Sequence, residues 1–139
     1  MVEGLEPMVW LAHQQVMPRV YFSNQDKSLR AAGVGAAERI DGSAEEALRS
    51  LAGGSSSRTR FYGGGRFDPE ADVRDEWAGF GRSVFVLPLF ELQVCDGGRC
   101  FLACHLRWAH DGSGPLTWER AARGALLLLQ QLHVSAEVV

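Results

Sequence analysis

The sequence predicts an α+β fold with a largely antiparallel sheet and flanking helices. Two observations support this class. After a first helix, the predicted elements follow the order β-β-α-β-β-β-α, in which strands outnumber helices and a tight hairpin joins two strands. Apolar residues make up 46% of the 139 residues, which is enough to form a core at this length. We expect residues 1–139 to form a single domain.

Three helices are predicted from their end signals and their apolar spacing. Pro7 suits the first turn of a helix that Pro18 stops, because proline needs no N–H partner in that turn. A second helix starts at Ser43, which forms a capping box with Glu46. Thr117 can cap the last helix, Trp118–Leu132. The apolar face of the second helix consists of Ala44, Ala47, Leu48 and Leu51. The apolar face of the last helix consists of Trp118, Ala121, Ala122, Ala125, Leu129 and Leu132. Leu126 and Leu128 lie at the edges of this second face, and Leu127 lies on the opposite side of the helix.

Five strands are predicted around these helices. They are Arg19–Ser23, Leu29–Ile40, a segment that begins at Arg60, Ser83–Cys95 and Cys100–Trp108. The first half of Ser83–Cys95 is apolar on both faces, which is typical of a central strand. Asp96-Gly97-Gly98 then predicts a hairpin turn, because glycine supplies the positive φ that such turns require.

Composition and charge exclude several classes of protein. The chain has 14 basic and 17 acidic residues, a net charge of −3 and no basic stripe, so no nucleic-acid partner is expected. No apolar run approaches the roughly 20 residues of a membrane-spanning helix. The N-terminus resembles neither a secretory signal nor a transit peptide, so any organelle address would lie upstream of this chain or be absent. Three cysteines without a secretory signal indicate reduced thiols in an intracellular protein.

Two glycine-rich segments invite comparison with nucleotide-binding loops. Gly33-x-Gly35-x-x-Glu38 lacks the third glycine of a dinucleotide fingerprint. Gly63-Gly64-Gly65 lacks the Lys-Ser/Thr pair and the following helix of a phosphate loop. We therefore predict structural roles for both segments, the second as a bulge or a tight packing contact.

A group of soft side chains raises the question of a metal site. The group consists of Cys95, Cys100, Cys104, His105 and His110. Its spacing is not that of a zinc knuckle. Alternation along a strand also places Cys100 and Cys104 on one face and His105 on the other. We interpret the cysteines as small apolar residues and predict no metal ligand.

His13, Glu91 and Ser113 are the remaining candidates for acid–base or nucleophilic chemistry. Nothing in the sequence pairs His13 or Glu91 with a partner, so both are interpreted as ordinary polar residues. Ser113 lies in a turn of Gly, Ser, Asp and Pro without the rest of a catalytic triad. The residues alone therefore predict no catalytic, cofactor-binding or metal-binding site in this chain.

An ordered series of segments resembles the N-terminal region of isochorismate synthases, which are chorismate-utilising enzymes. The segments are Trp10–Gln15, Pro18–Phe22, Gly33–Ala37, Phe61–Pro69 with its Gly-Gly-x-Arg-Phe-Asp motif, Trp77–Gly81, Val86–Glu91 and Trp108–Val139. The resemblance covers nearly the whole chain. It is strongest to plant and algal members, including the isochorismate-synthase module of PHYLLO-type fusion proteins. Cys100 and Cys104 depart from it, since small or hydroxyl residues are expected there.

The resemblance implies the N-terminal part of the chorismate-utilising enzyme fold and the conversion of chorismate to isochorismate, for menaquinone, phylloquinone or salicylate synthesis. In that family a lysine base activates water, a glutamic acid assists the leaving hydroxyl, and Mg²⁺ is required. All of these groups belong to the C-terminal half. The single lysine here, Lys27, lies in a polar turn and matches no catalytic motif. The resemblance thus implies no catalytic residue and no cofactor in this chain, which should be inactive alone.

Two interpretations of the whole protein follow from the resemblance. In the first, the partner of this chain is the C-terminal catalytic half of the parent isochorismate synthase. In the second, the chain is a non-catalytic structural or interaction module of a PHYLLO-type protein, and its partner is a fused downstream enzyme. A plastid location is implied if the source is a plant or an alga. The reading frame after Val139 distinguishes the two interpretations.

Overall fold

The computed structural model describes residues 6–51, 59–68, 70–72, 74–108 and 117–132, and it confirms the α+β class. The elements are α1 (Pro7–Ala12), β1 (Arg19–Ser23), β2 (Arg30–Val34), β3 (Glu38–Ile40), α2 (Ala44–Leu51), β4 (Tyr62–Gly65), β5 (Ser83–Leu87), β6 (Phe90–Val94), β7 (Cys100–Cys104) and α3 (Trp118–Leu129), with short 3₁₀ helices at Asp75–Phe80 and Asp96–Gly98. The strands named here pair antiparallel.

The chain divides into two compact units. Unit 1 consists of Met1–Ala37 together with Pro88–Val139, and unit 2 consists of Glu38–Leu87. Each unit contains its own sheet. The domain bounds 1–139 stay a prediction.

Unit 1 is built on a four-stranded sheet with the order β1-β2-β6-β7. Helix α1 packs on this sheet because Pro7, Trp10 and Leu11 form its buried side. Strand β6 is buried along its whole length, as expected for a strand with neighbours on both sides. The core lies on the α1 side of the sheet and contains Trp10, Leu11, Ala32, Val34, Leu89, Phe90, Leu92, Ala125 and Leu132.

Unit 2 contains a three-stranded sheet with the order β3-β5-β4, together with α2 and the first 3₁₀ helix. The Ser50 hydroxyl in α2 donates to the Glu38 carboxylate in β3, at 2.9 and 3.0 Å to its two oxygens. The Arg39 guanidinium of β3 donates to the Gly79 carbonyl of the 3₁₀ helix at 3.2 Å. These polar contacts attach both helices to the edge strand β3.

The predictions of continuous strands at Leu29–Ile40 and Ser83–Cys95 are wrong. The first segment divides into β2 and β3 around Gly35, whose φ of 69° is a left-handed conformation outside strand geometry. The second divides into β5 and β6 around Pro88, which has no N–H to contribute to a ladder. In both segments the two halves belong to different sheets. Apolar residues continue on both sides of Gly35 and Pro88, so the apolar pattern of the sequence does not reveal where each strand ends.

Both predicted helix caps are confirmed. Ser43 Oγ accepts a hydrogen bond from the Glu46 N–H at 3.3 Å, and Thr117 Oγ1 accepts one from the Arg120 N–H at 3.3 Å. Each bond satisfies one of the backbone donors that a helix leaves free at its start. Local hydrogen bonding thus fixes where α2 and α3 begin.

The apolar faces of the helices are narrower than predicted. Leu48 of α2 and Leu126 of α3 are 65% and 62% exposed, although both were expected to face a core. Helix α3 also ends at Leu129, three residues before the predicted end at Leu132. Within the described ranges, no helix is long and apolar enough to cross a membrane.

Candidate functional site

A cluster of buried polar side chains lies in unit 1, on the face of the sheet opposite the α1 core. It consists of Glu91, Gln93 and His105, and we call it the polar cluster. Glu91 and Gln93 are 0% and 1% exposed. Gln93 Nε2 donates to Glu91 Oε2 at 2.7 Å, and His105 Nε2 lies 3.5 Å from Glu91 Oε1. A carboxylate, an amide and an imidazole are therefore brought together in the interior of unit 1.

Small residues lie opposite Glu91 on both neighbouring strands. Glu91 lies opposite Gly33 of β2 and opposite Ala103 of β7. The short Ala103 side chain leaves space for the glutamate beside β7, whereas Pro88 and Val20 occupy the space above Gly33. His105 reaches the same face because it follows Ala103 by two residues and strand side chains alternate.

The polar cluster offsets part of the cost of burying the Glu91 carboxylate. An ion in a protein interior costs several kcal/mol unless donors or opposite charges surround it. Gln93 supplies a donor to Glu91 Oε2, and the His105 imidazole lies beside Glu91 Oε1. The Glu91 side chain is fully buried and the His105 side chain is 12% exposed. These contacts position β6 against the end of β7.

The interpretation of Glu91 as an isolated polar residue is wrong, since the structure gives it two side-chain neighbours. The signal in the sequence was the pair Glu91 and Gln93 at alternate positions of an otherwise apolar strand, with His105 across the hairpin. Sequence spacing alone does not give the register that brings them together. His13 is exposed at the end of α1, as expected for an ordinary polar residue.

The predicted distribution of cysteines over the faces of β7 is confirmed. Cys100 and Cys104 are exposed on one side of the strand, whereas His105 lies on the other side, beside Glu91. Partial burial raises the pKa of the Cys100 and Cys104 thiols, and the neighbouring Cys95 raises the pKa of Cys100 further.

No group of three or more His, Cys, Asp or Glu side chains within the described ranges is placed to hold a metal ion. His110 and Ser113, two of the candidates from the sequence, lie outside the described residues.

The glycine-rich segments have structural roles, with one exception. A Cβ at Gly33 would lie 2.6 Å from Pro88 Cγ and 2.9 Å from Val20 Cγ2, so only glycine permits this close approach. A Cβ at Gly63 would lie 1.9 Å from the Val84 carbonyl oxygen. The predicted packing contact is thus confirmed at Gly63. It is wrong for Gly64, where a Cβ would have nothing within 4 Å.

Arg66, in the Gly-Gly-x-Arg-Phe-Asp segment, organises the loop between β4 and β5. Its Nε donates to the Gly81 carbonyl and its Nη1 donates to the Ala71 carbonyl, both at 2.9 Å. Its backbone N–H donates to the Arg82 carbonyl at 2.8 Å. Two side-chain donors of Arg66 are therefore used within unit 2 itself.

Comparison with known proteins assigns this chain to a family. A family model described as chorismate binding enzyme matches residues 1–136. A protein of Arabidopsis thaliana, isochorismate synthase 2, chloroplastic, is 29% identical over 159 residues, which cover 94% of this chain and 27% of that protein. The solved structure of MenF, the menaquinone-specific isochorismate synthase from Escherichia coli, matches 99% of this chain and 28% of its own, with a TM-score of 0.73 and 23% identity.

The chain belongs to the chorismate binding enzyme family. Within that family it resembles the N-terminal region of isochorismate synthases, as the ordered segments of the sequence predict. The likeness to MenF shows that the α+β fold is that of this region in the chorismate-utilising enzymes. The chain spans about a quarter of the length of these relatives, 27% and 28% respectively.

Proposed function

We propose that this chain is the N-terminal part of an isochorismate synthase and forms an active enzyme only together with a C-terminal catalytic region. One observation carries the proposal: the family match extends over residues 1–136, yet the chain corresponds to about a quarter of each relative. The complete enzyme would convert chorismate to isochorismate. The chloroplastic relative also supports a plastid location. As part of the proposal, the product would enter phylloquinone or salicylate synthesis.

The side chains of this chain support a scaffolding role. The polar cluster positions β6 and β7, and Arg66 organises the loop between β4 and β5. The only lysine of the sequence, Lys27, is exposed in the turn between β1 and β2. A base that activates water would therefore come from the C-terminal region.

Magnesium, which the resemblance implies for the complete enzyme, does not fit the described part of this chain. A magnesium site in a protein needs carboxylate oxygens that converge on one point. The described residues contain no such convergence of three or more acidic or imidazole side chains. We therefore assign magnesium binding to the C-terminal region as part of the proposal.

A coupled assay with chorismate and Mg²⁺ tests the proposal. The purified chain alone should form no isochorismate. Activity should appear when the C-terminal region of the Arabidopsis thaliana relative is fused to the chain. Lys27→Ala should leave the turnover of this fusion unchanged, because Lys27 is assigned no part in catalysis. Turnover by the isolated chain at a rate near that of the intact relative would refute the proposal.

The same assay addresses the second interpretation, a non-catalytic module of a PHYLLO-type protein. That interpretation predicts no turnover from the chain alone or from the fusion. It also predicts that a thiamine-diphosphate enzyme, rather than a catalytic isochorismate-synthase region, follows this chain in its gene.

A further inference from the structure

Helix α3 carries more apolar surface than the described part of this chain covers. Ala125 is the buried residue of the helix, Leu132 is buried just after it, and Leu128 packs partly against the core of unit 1. By contrast, Trp118 is 52% exposed and Leu129 is 38% exposed, although both belong to the predicted apolar face. Leu126, at the edge of that face, is 62% exposed.

Three exposed apolar residues and the half-buried Ala122 form one continuous stripe on α3. At about 100° per residue, Trp118, Ala122, Leu126 and Leu129 fall within an arc of about 80°, beside the buried Ala125. We call these four residues the α3 stripe. Their spacing of i, i+4, i+8 and i+11 is typical of a helix that packs against a second element. Leu127 is not part of the stripe, because it lies about 100° beyond Leu126.

Trp118 is held in position even though it is exposed. Its ring packs edge-on against Trp108, with the ring centroids 5.0 Å apart and an interplanar angle of 64°. A side chain that is already ordered loses little conformational entropy on binding. Tryptophan is also one of the residue types that contribute most to binding energy at protein interfaces. Trp118 is therefore suited to act as the anchor of a docking surface.

We propose that the α3 stripe docks against the C-terminal region of the isochorismate synthase, an inference that rests on the proposed function. The choice of partner follows from the length of this chain compared with the lengths of its two relatives. At least 94% of this chain is matched in both relatives, whereas nearly three quarters of each relative has no counterpart here. Most of the apolar surface available to cover α3 in a complete enzyme thus belongs to that region. The partner surface is an apolar face with a recess for the Trp118 indole.

A matched pair of variants tests the docking surface. Leu126→Glu lies in the α3 stripe and Leu127→Glu lies outside it. The two leucines are 62% and 59% exposed and occupy adjacent positions of one helix, so both variants should fold equally well. Isothermal titration calorimetry would measure binding of the full chain to the purified C-terminal region of the Arabidopsis thaliana relative. We expect Leu127→Glu to bind like the wild type and Leu126→Glu to bind at least about tenfold more weakly.

Three results would overturn the docking surface. The first is equal affinity of Leu126→Glu and wild type, and the second is a wild-type chain that does not bind the C-terminal region. The third is a wild-type dimer in sedimentation velocity that Leu126→Glu abolishes, because a second copy of the chain would then cover the stripe. Thermal melts of both variants serve as the control for folding.

Measuring isochorismate formation tests the docking surface and the proposed function separately. If the wild-type mixture is active and Leu126→Glu is equally active at subsaturating concentrations, the α3 stripe is refuted and the proposed function stands. If binding depends on Leu126 but no mixture or fusion forms isochorismate, the proposed function is refuted and the docking surface stands.

Discussion

Two adjacent glycines of β4 should respond in opposite ways to the addition of one methyl group. In Gly63→Ala the new Cβ would lie 1.9 Å from the Val84 carbonyl oxygen and 2.8 Å from Phe85 Cα. Both are backbone atoms of β5, so no side-chain rotation relieves the overlap. Strand β4 would have to move away from β5 and weaken its hydrogen bonds. Overpacking costs about 1–3 kcal/mol and each lost bond about 1 kcal/mol, so we expect a loss of about 3 kcal/mol.

Gly64→Ala is the matched control, because its Cβ would have nothing within 4 Å. The substitution restricts the unfolded chain without a clash, which should raise the free energy of unfolding by about 0.5 kcal/mol. The two variants should then differ in melting temperature by roughly 10 °C for a chain of this size. Thermal unfolding followed by tryptophan fluorescence would measure the difference. Equal unfolding midpoints, or a Gly64→Ala chain that is the less stable of the two, would refute this reasoning.

Two further predictions concern unit 1. Glu91→Ala removes the acceptor of the Gln93 amide and the carboxylate beside His105. The free energy of unfolding should therefore fall by about 2–4 kcal/mol, as measured by urea unfolding. A fall of less than about 1 kcal/mol would contradict a structural role for the polar cluster. Because partial burial raises the pKa of Cys100 and Cys104 above the value in the unfolded chain, their thiolates are scarcer at any given pH in the folded state. Site-resolved iodoacetamide labelling should therefore begin at a higher pH in the folded chain than in the urea-unfolded chain, and faster labelling of either cysteine at pH 7 in the folded chain would show the opposite shift.

The sequence allows the features that depend on neighbouring residues to be predicted. The caps at Ser43 and Thr117 form as expected, because each side chain bonds a backbone N–H three residues away. Gly97 and Gly98 have φ values of 80° and 74°, as the hairpin turn requires. In each case the physical cause lies within a few residues of its effect.

The features that depend on distant residues could not be predicted in the same way. The polar cluster requires the β6–β7 register that sets Glu91 opposite Ala103, and spacing along one strand does not contain that register. The exposure of Leu126 is a second example. Helical periodicity shows that a residue lies beside an apolar face, but it does not show how wide a surface the rest of the chain offers to that face.

The breaks at Gly35 and Pro88 have a consequence for how this region can change in length. Strands β2 and β6 are antiparallel neighbours with Val34 opposite Phe90, and the Leu89 N–H donates to the Gly35 carbonyl at 3.4 Å. The chain therefore leaves unit 1 and re-enters it at adjacent points, so that residues 38–87 are, in topological terms, an insertion in a β-hairpin. Residues can be gained or lost within such an insertion without shifting the β2–β6 register.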